Sequence, residues 1–313
     1  MSQITPSTER PEKPRSRLRL WTVLAVVVVL AVAAAIVVPN LTARSADADA
    51  ASGRTTVRLG VNDIGKEYWD VLVAKAADEG IDVELVSFTD YNTPNPALSA
   101  GDIDINAFQH VRYLAQYDAS QDEDLVPLGA TAIYPIGFYS TRWKSVEEVP
   151  QGAEVTLSNN PANQVRPLLA LYNAGLVEFT KEADWSVTLD DVDYDRSRIG
   201  KITPIDPTQT AASLDSVDIA FVDGTFAENA GLTDAQQIYT EDVDRPDLAQ
   251  YINIFAVRGE DRDDRALQKI VELYHSDEVV AALEADPGFD GVIKDETADE
   301  LQAVLEEQLE EFE

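Results

Sequence analysis

The sequence predicts an α/β protein preceded by a membrane-spanning helix. Two observations predict the α/β class: the two kinds of apolar periodicity, and the order in which they follow one another. From Thr56 onward, segments with strand-like alternation take turns with segments of helical spacing. That order argues for helices layered on sheets rich in parallel strands. A third observation predicts the preceding helix: Leu20–Val38 is a 19-residue stretch without a charge.

A membrane span needs about 20 apolar residues, and a secretory signal core only about 7–15. The length favours a retained anchor, although small-residue sites such as Ala46-Asp47-Ala48 follow and suit a cleaved signal. Arg10, Lys13, Arg15, Arg17 and Arg19 precede the stretch, which puts the N-terminus in the cytoplasm and the rest outside. The expected organisation is a cytoplasmic basic tail over 1–19, the anchor over 20–38, a flexible Ala/Ser-rich linker over 39–54 and a globular part over 55–313.

Within the globular part, Val57, Leu59 and Val61 alternate as a half-buried strand does. Trp69, Leu72, Val73, Ala76 and Ala77 give a helix over Glu67–Asp78, and Ile81, Val83 and Leu85 give a second strand. Further strands are expected at 153–157, 201–205, 217–222 and 251–257, and helices at 162–173, 208–214 and 263–275. Leu301, Val304, Leu305, Leu309 and Phe312 share one face of an acidic C-terminal helix, which suits docking on the body or on a partner.

Composition excludes several functions. The chain has no cysteine, so disulfides, thiolate zinc sites, cysteine nucleophiles and a lipid-modified N-terminal cysteine are ruled out. Residues 55–313 hold 17 basic and 53 acidic residues, a net of −36. Such a surface repels nucleic acid, so no nucleic-acid partner is expected. No P-loop, nucleophile elbow, H-E-x-x-H or dinucleotide fingerprint is present, so the chain does not read as an enzyme and needs no cofactor or metal.

Four segments carry site chemistry. The first runs from Phe88-Thr89-Asp90-Tyr91 through Asn106-Ala107-Phe108-Gln109-His110; it concentrates aromatics, amides and one histidine in a turn-rich stretch. Tyr91 and Phe108 can wall an apolar side chain, or they are ordinary core. The second, Tyr134-Pro135-Ile136-Gly137-Phe138-Tyr139-Ser140, has Pro and Gly inside an aromatic strand; it suits either an edge strand or a crossover. The third, Asn159-Asn160-Pro161-Ala162-Asn163-Gln164-Val165-Arg166-Pro167, announces a helix start. Its free N–H groups and the Arg166 fork suit a carboxylate, unless Arg166 is a surface residue of a capped helix. Pro167 must sit in the first turn. The fourth, Asp218-Ile219-Ala220-Phe221-Val222-Asp223-Gly224, runs a buried strand into Asp223, which faces a crevice or caps the next helix.

These segments, with Tyr251-Ile252-Asn253-Ile254-Phe255-Ala256-Val257-Arg258, occur in the order that marks one family. From about Val57 to Gly288 the chain resembles the methionine-binding NlpA/MetQ-type receptors of amino-acid ABC importers. The resemblance implies a type-2 periplasmic-binding-protein fold, two α/β lobes joined by crossover strands, with lobe 1 about 55–138 plus 226–313 and lobe 2 about 139–225. It implies that Arg166, beside Asn163, grips the ligand carboxylate, that Tyr91, Phe108, His110 and Tyr113 line the side-chain pocket, and that Tyr134 is the crossover tyrosine. It further implies an extracytoplasmic receptor, here held at the cell membrane by its N-terminal helix, that delivers methionine to a permease with its ATPase. Another amino acid, a methionine derivative or a short peptide is the alternative ligand; a tethered interaction module or an enzyme is the remote one.

Two features depart from the family pattern. An apolar stretch stands where the family has a lipid-modified cysteine. Asp223 stands where the family has an asparagine that helps hold the ligand's backbone groups. Ionised Asp only accepts hydrogen bonds, so Asp223 suits an ammonium and not a carboxylate.

Overall fold

The computed structural model describes residues 54–243 and 245–312, and Thr55–Glu313 forms one compact unit. In chain order the strands are β1 (Thr55–Val61), β2 (Ile81–Ser87), β3 (Ile105–His110), β4 (Leu125–Ala130), β5 (Ala132–Ile133) and β6 (Gly137–Tyr139). They continue with β7 (Ala153–Ser158), β8 (Ile199–Ile205), β9 (Ile219–Phe221), β10 (Gln237–Thr240), β11 (Asn253–Arg258) and β12 (Val292–Ile293).

Two five-stranded sheets result, ordered β2-β1-β3-β11-β4 and β10-β6-β9-β7-β8. In the first, β1 runs parallel to β2 and β3, and β11 is antiparallel to both β3 and β4. In the second, β7 runs parallel to β8 and β9, and β6 is antiparallel to both β9 and β10. Each sheet therefore has one reversed strand. The chain enters the second sheet through β6 and returns to the first through β11, so the reversed strands are the two crossovers. Pro135 and Gly137 lie where the first crossover bends, which resolves the 134–140 segment as a crossover between two α/β lobes.

The alternating residues of β1 bury Val57, Leu59 and Val61, and the helix Glu67–Asp78 covers them with Trp69, Leu72 and Ala76. A second apolar cluster runs from Val111 and Leu114 through Phe138 to Val155, Leu157 and Leu168, and so spans both sheets. The C-terminal helix Ala298–Phe312 docks on the body: Leu301 and Leu305 are buried, and Arg112 reaches Gln308, Glu311 and the Phe312 ring.

The expected transmembrane helix is a correction. Leu20–Val38 lies outside the described residues, and among the described residues no helix is long and apolar enough to cross a membrane. The longest of them, Ala298–Phe312, has 15 residues, roughly 22 Å at 1.5 Å per residue, and carries an acidic face. A hydrocarbon core is about 30 Å thick. Membrane partnership through an N-terminal helix, and the single-anchor localisation built on it, are not retained. What remains of the expected fold is the pair of α/β lobes with their crossover strands.

Candidate functional site

The parallel strands of both sheets end toward one cavity of about 190 Å³. Its lining residues follow those ends: Asn62 and Asp63 after β1, Tyr91 after β2, Phe108 and His110 at the end of β3, Asn163 and Arg166 after β7, and Asp223 after β9. This is where ligands bind in open α/β sheets, because loops at the carboxyl ends diverge and leave a crevice. Tyr113 and Tyr134 line the same cavity, so the structure brings all eight sequence-selected residues together.

One wall is aromatic. Tyr91 lies 4.9 Å from Phe226, 6.2 Å from Phe108 and 6.4 Å from Tyr113, centroid to centroid. The Tyr113 hydroxyl donates to the Tyr91 backbone carbonyl at 2.8 Å, which ties the Tyr113 ring to the Tyr91 turn. Burial holds the Tyr91 hydroxyl well above its usual range, with the Asp223 charge acting in the same direction.

His110 has a definite tautomer. Its Nδ1 accepts from the Tyr113 backbone N–H at 3.1 Å and so caps the helix Val111–Gln121. The proton therefore sits on Nε2, which donates to Asn163 Oδ1 at 2.9 Å. Burial pushes the His110 pKa down to about 3, with the Asn163 hydrogen bond opposing, so the ring stays neutral. Both ring nitrogens are taken by protein, and His110 offers the cavity only its ring. The bond also joins the end of β3 to the turn after β7, one lobe to the other.

Arg166 is held on three sides. Nε donates to Glu241 Oε2 at 2.8 Å, Nη2 lies 2.7 Å from the same oxygen, and Nη2 donates to the Tyr134 carbonyl at 2.9 Å. The guanidinium covers the Tyr251 ring at 4.8 Å. It is buried in the first turn of the helix Val165–Asn173, with Pro167 in the same turn. Among the described residues no hydrogen bond engages Nη1, which is what the guanidinium has left for the cavity. Sequence reasoning missed Glu241 because it lies beyond β10, in a stretch that matches no motif.

Asp223 stands at the N-cap position of the short helix Gly224–Asn229, but its side chain makes no capping hydrogen bond. Burial pushes its pKa up to about 6, against the pull of Arg166. The carboxylate is thus poised for a cation, not spent on the helix.

Asn95, Asn106 and Gln109 bond one another in a buried amide network of 2.6–3.1 Å that ties the helix Pro94–Ser99 to β3, and Gln109 also lines the cavity. Asp104 pairs with Arg58 at 2.7 Å. Asp63, also missed, accepts from the Tyr68 hydroxyl and from Trp69 Nε1. Its place just past a parallel strand was the available signal.

The sequence model described as NlpA lipoprotein matches residues 57–295, more than half of the chain. The chain belongs to the NlpA lipoprotein family. Solved structures share its fold. The PG110 protein of Staphylococcus aureus superposes with a TM-score of 0.76 at 36% identity, covering 80% of this chain and 99% of that one. A nutrient-binding protein from Burkholderia cenocepacia, solved bound to methionine, superposes with a TM-score of 0.69 at 31% identity, covering 76% of this chain and 99% of that one. Among curated relatives, the D-methionine-binding lipoprotein MetQ of Salmonella typhi is 39% identical over 232 residues, 72% of this chain and 83% of the relative. The Salmonella typhi relative is named a lipoprotein, whereas this chain has no cysteine to carry the lipid.

Proposed function

We propose that the chain is an extracytoplasmic substrate-binding receptor of an ABC importer that captures methionine between its lobes and presents it to the permease. One observation carries the reading: Arg166, with its Nη1 edge free, and Asp223, whose side chain makes no capping hydrogen bond, line a single cavity that is otherwise walled by aromatic rings. A guanidinium, a carboxylate and an apolar box answer the three parts of the ligand: carboxylate, ammonium and thioether. Sulfur against aromatic rings contributes about 0.3–1.5 kcal/mol. The cavity's volume, below the roughly 300–1,000 Å³ of sites for drug-sized ligands, suits one amino acid. The Asn163 amide N–H₂ lies beside Arg166 as a second donor for the carboxylate, since its Oδ1 is occupied by His110. The chain is a binding protein and not an enzyme, as are the receptors it resembles.

A second reading rests on Asp223: the same cleft holds a different amine-bearing ligand. Mass spectrometry of the small molecule released when the purified protein is denatured separates the two. Methionine is the expected mass. A compound lacking either an amine or a carboxylate would overturn the first reading.

A further inference from the structure

We propose that Glu241 is an internal counter-ion to Arg166 that lowers the receptor's affinity for the ligand carboxylate. The inference rests on the reading that Arg166 meets that carboxylate. Glu241 does not line the cavity; it acts through Arg166, as a positioning residue.

The two side chains are among the most buried charged groups described, 7% and 5% exposed. Both are fixed to the first crossover. The Glu241 backbone N–H donates to the Ile136 carbonyl at 3.0 Å, and Arg166 donates to the Tyr134 carbonyl. The pair is thus anchored to protein backbone at both ends. A lone guanidinium in a closed cleft would be an uncompensated buried charge, and a ligand carboxylate would relieve that penalty on binding. With Glu241 in place the penalty is already relieved. The incoming carboxylate instead meets a guanidinium whose Nε–Nη2 edge is occupied, and it is repelled by a second carboxylate on the far side of the same group. Arg245 moderates this: its Nη1 lies 3.7 Å from Glu241 Oε1 and its side chain is 36% exposed, while Asp247 engages its Nε and Nη2.

Two substitutions of opposite sign test the assignment in the full-length protein. Glu241→Gln keeps an acceptor oxygen for Nε and Nη2 and removes only the charge. It should tighten methionine binding by about tenfold or more, since one like charge is removed from a low-dielectric site. Binding of methioninamide, which has no carboxylate, should change little. Arg245→Gln leaves Glu241 wholly to Arg166 and should weaken methionine binding by about two- to fivefold, the range of a partly exposed pair. Calorimetric titration of both ligands reads the ratio of their affinities.

A merely structural Glu241 would move both ligands together and leave that ratio at its wild-type value, which would overturn the inference. Looser methionine binding by Glu241→Gln would overturn it too. If Glu241→Gln does not fold, unchanged or tighter methionine binding by Arg245→Gln is the overturning result. A wild-type protein that binds methionine and methioninamide equally would refute the carboxylate role of Arg166 itself, and the inference with it.

Discussion

Asp223 is where the physics of single residues is most exposed. Burial raises its pKa from 3.8 to about 6, so between those values the folded state holds a proton that the unfolded state has released. Stability of the unliganded protein therefore falls as pH rises through that window, and the loss persists at pH 7. Asp223→Asn removes the ionisation. Relative to wild type it should be more stable at pH 7 by about 1–3 kcal/mol and equal near pH 3.5. Denaturant melts at the two pH values check this; a difference that does not change with pH would show that Asp223 titrates as an ordinary surface carboxyl. Residue type was legible in the sequence here, and environment was not. His110 teaches the same lesson. Its presence beside Phe108 was plain, but its double engagement depends on Tyr113 one turn ahead and on Asn163 in the other lobe. Glu241 is the extreme case, a buried acid whose significance appears only once Arg166 is seen to lean on it.

At the scale of elements, the loops that end the parallel strands also meet across the mouth of the cleft. Lys66, at the start of the helix Glu67–Asp78, bridges Asp286 at 3.0 Å and Glu228 on the helix Gly224–Asn229. That last helix packs on the second sheet through Ala227 against Ala220 and Val222. A side chain at Gly288 would push the Glu228 carboxylate aside, because an added Cβ would lie 2.8 Å from Glu228 Oε1. Asn62 donates to Thr225 Oγ1 at 3.4 Å beside it. A charged clasp thus joins the lobes across the cleft. Glu228→Gln should speed ligand release by up to about fivefold at low salt, the value of a half-exposed pair, and by almost nothing at 1 M salt, where the screening length is about 3 Å. Stopped-flow release rates at both ionic strengths decide it; equal rates for variant and wild type at low salt would remove the clasp from the account.

Elements with strong periodicity were the readable ones. The helix at Glu67–Asp78 and the strands near 57, 81 and 153 follow directly from their apolar spacing. The helix expected over 162–173 is instead a 3-10 turn, Pro161–Asn163, followed by an α-helix from Val165. That break turns Asn163 toward His110, and no propensity scale contains it. Strand pairing was the least readable level: β10 joins the second sheet by pairing with β6, a contact between residues about 100 positions apart.

For the whole molecule, two sheets each reversed at the strand where the chain crosses over leave both sets of strand ends facing one cleft. Closure on a ligand then needs no rearrangement inside either lobe, only motion about the two crossovers. The central claim is that this cleft holds a zwitterion at both ends, with Arg166 at the carboxylate and Asp223 at the ammonium. The most direct test is calorimetric titration of the ligand-stripped, full-length protein at pH 7 with methionine, methioninamide and 4-(methylthio)butanoate. The account predicts tight binding of methionine and a loss of about 1.5–3 kcal/mol for each analogue, the worth of a charged hydrogen bond. Equal binding of all three, or no heat with methionine, would contradict it.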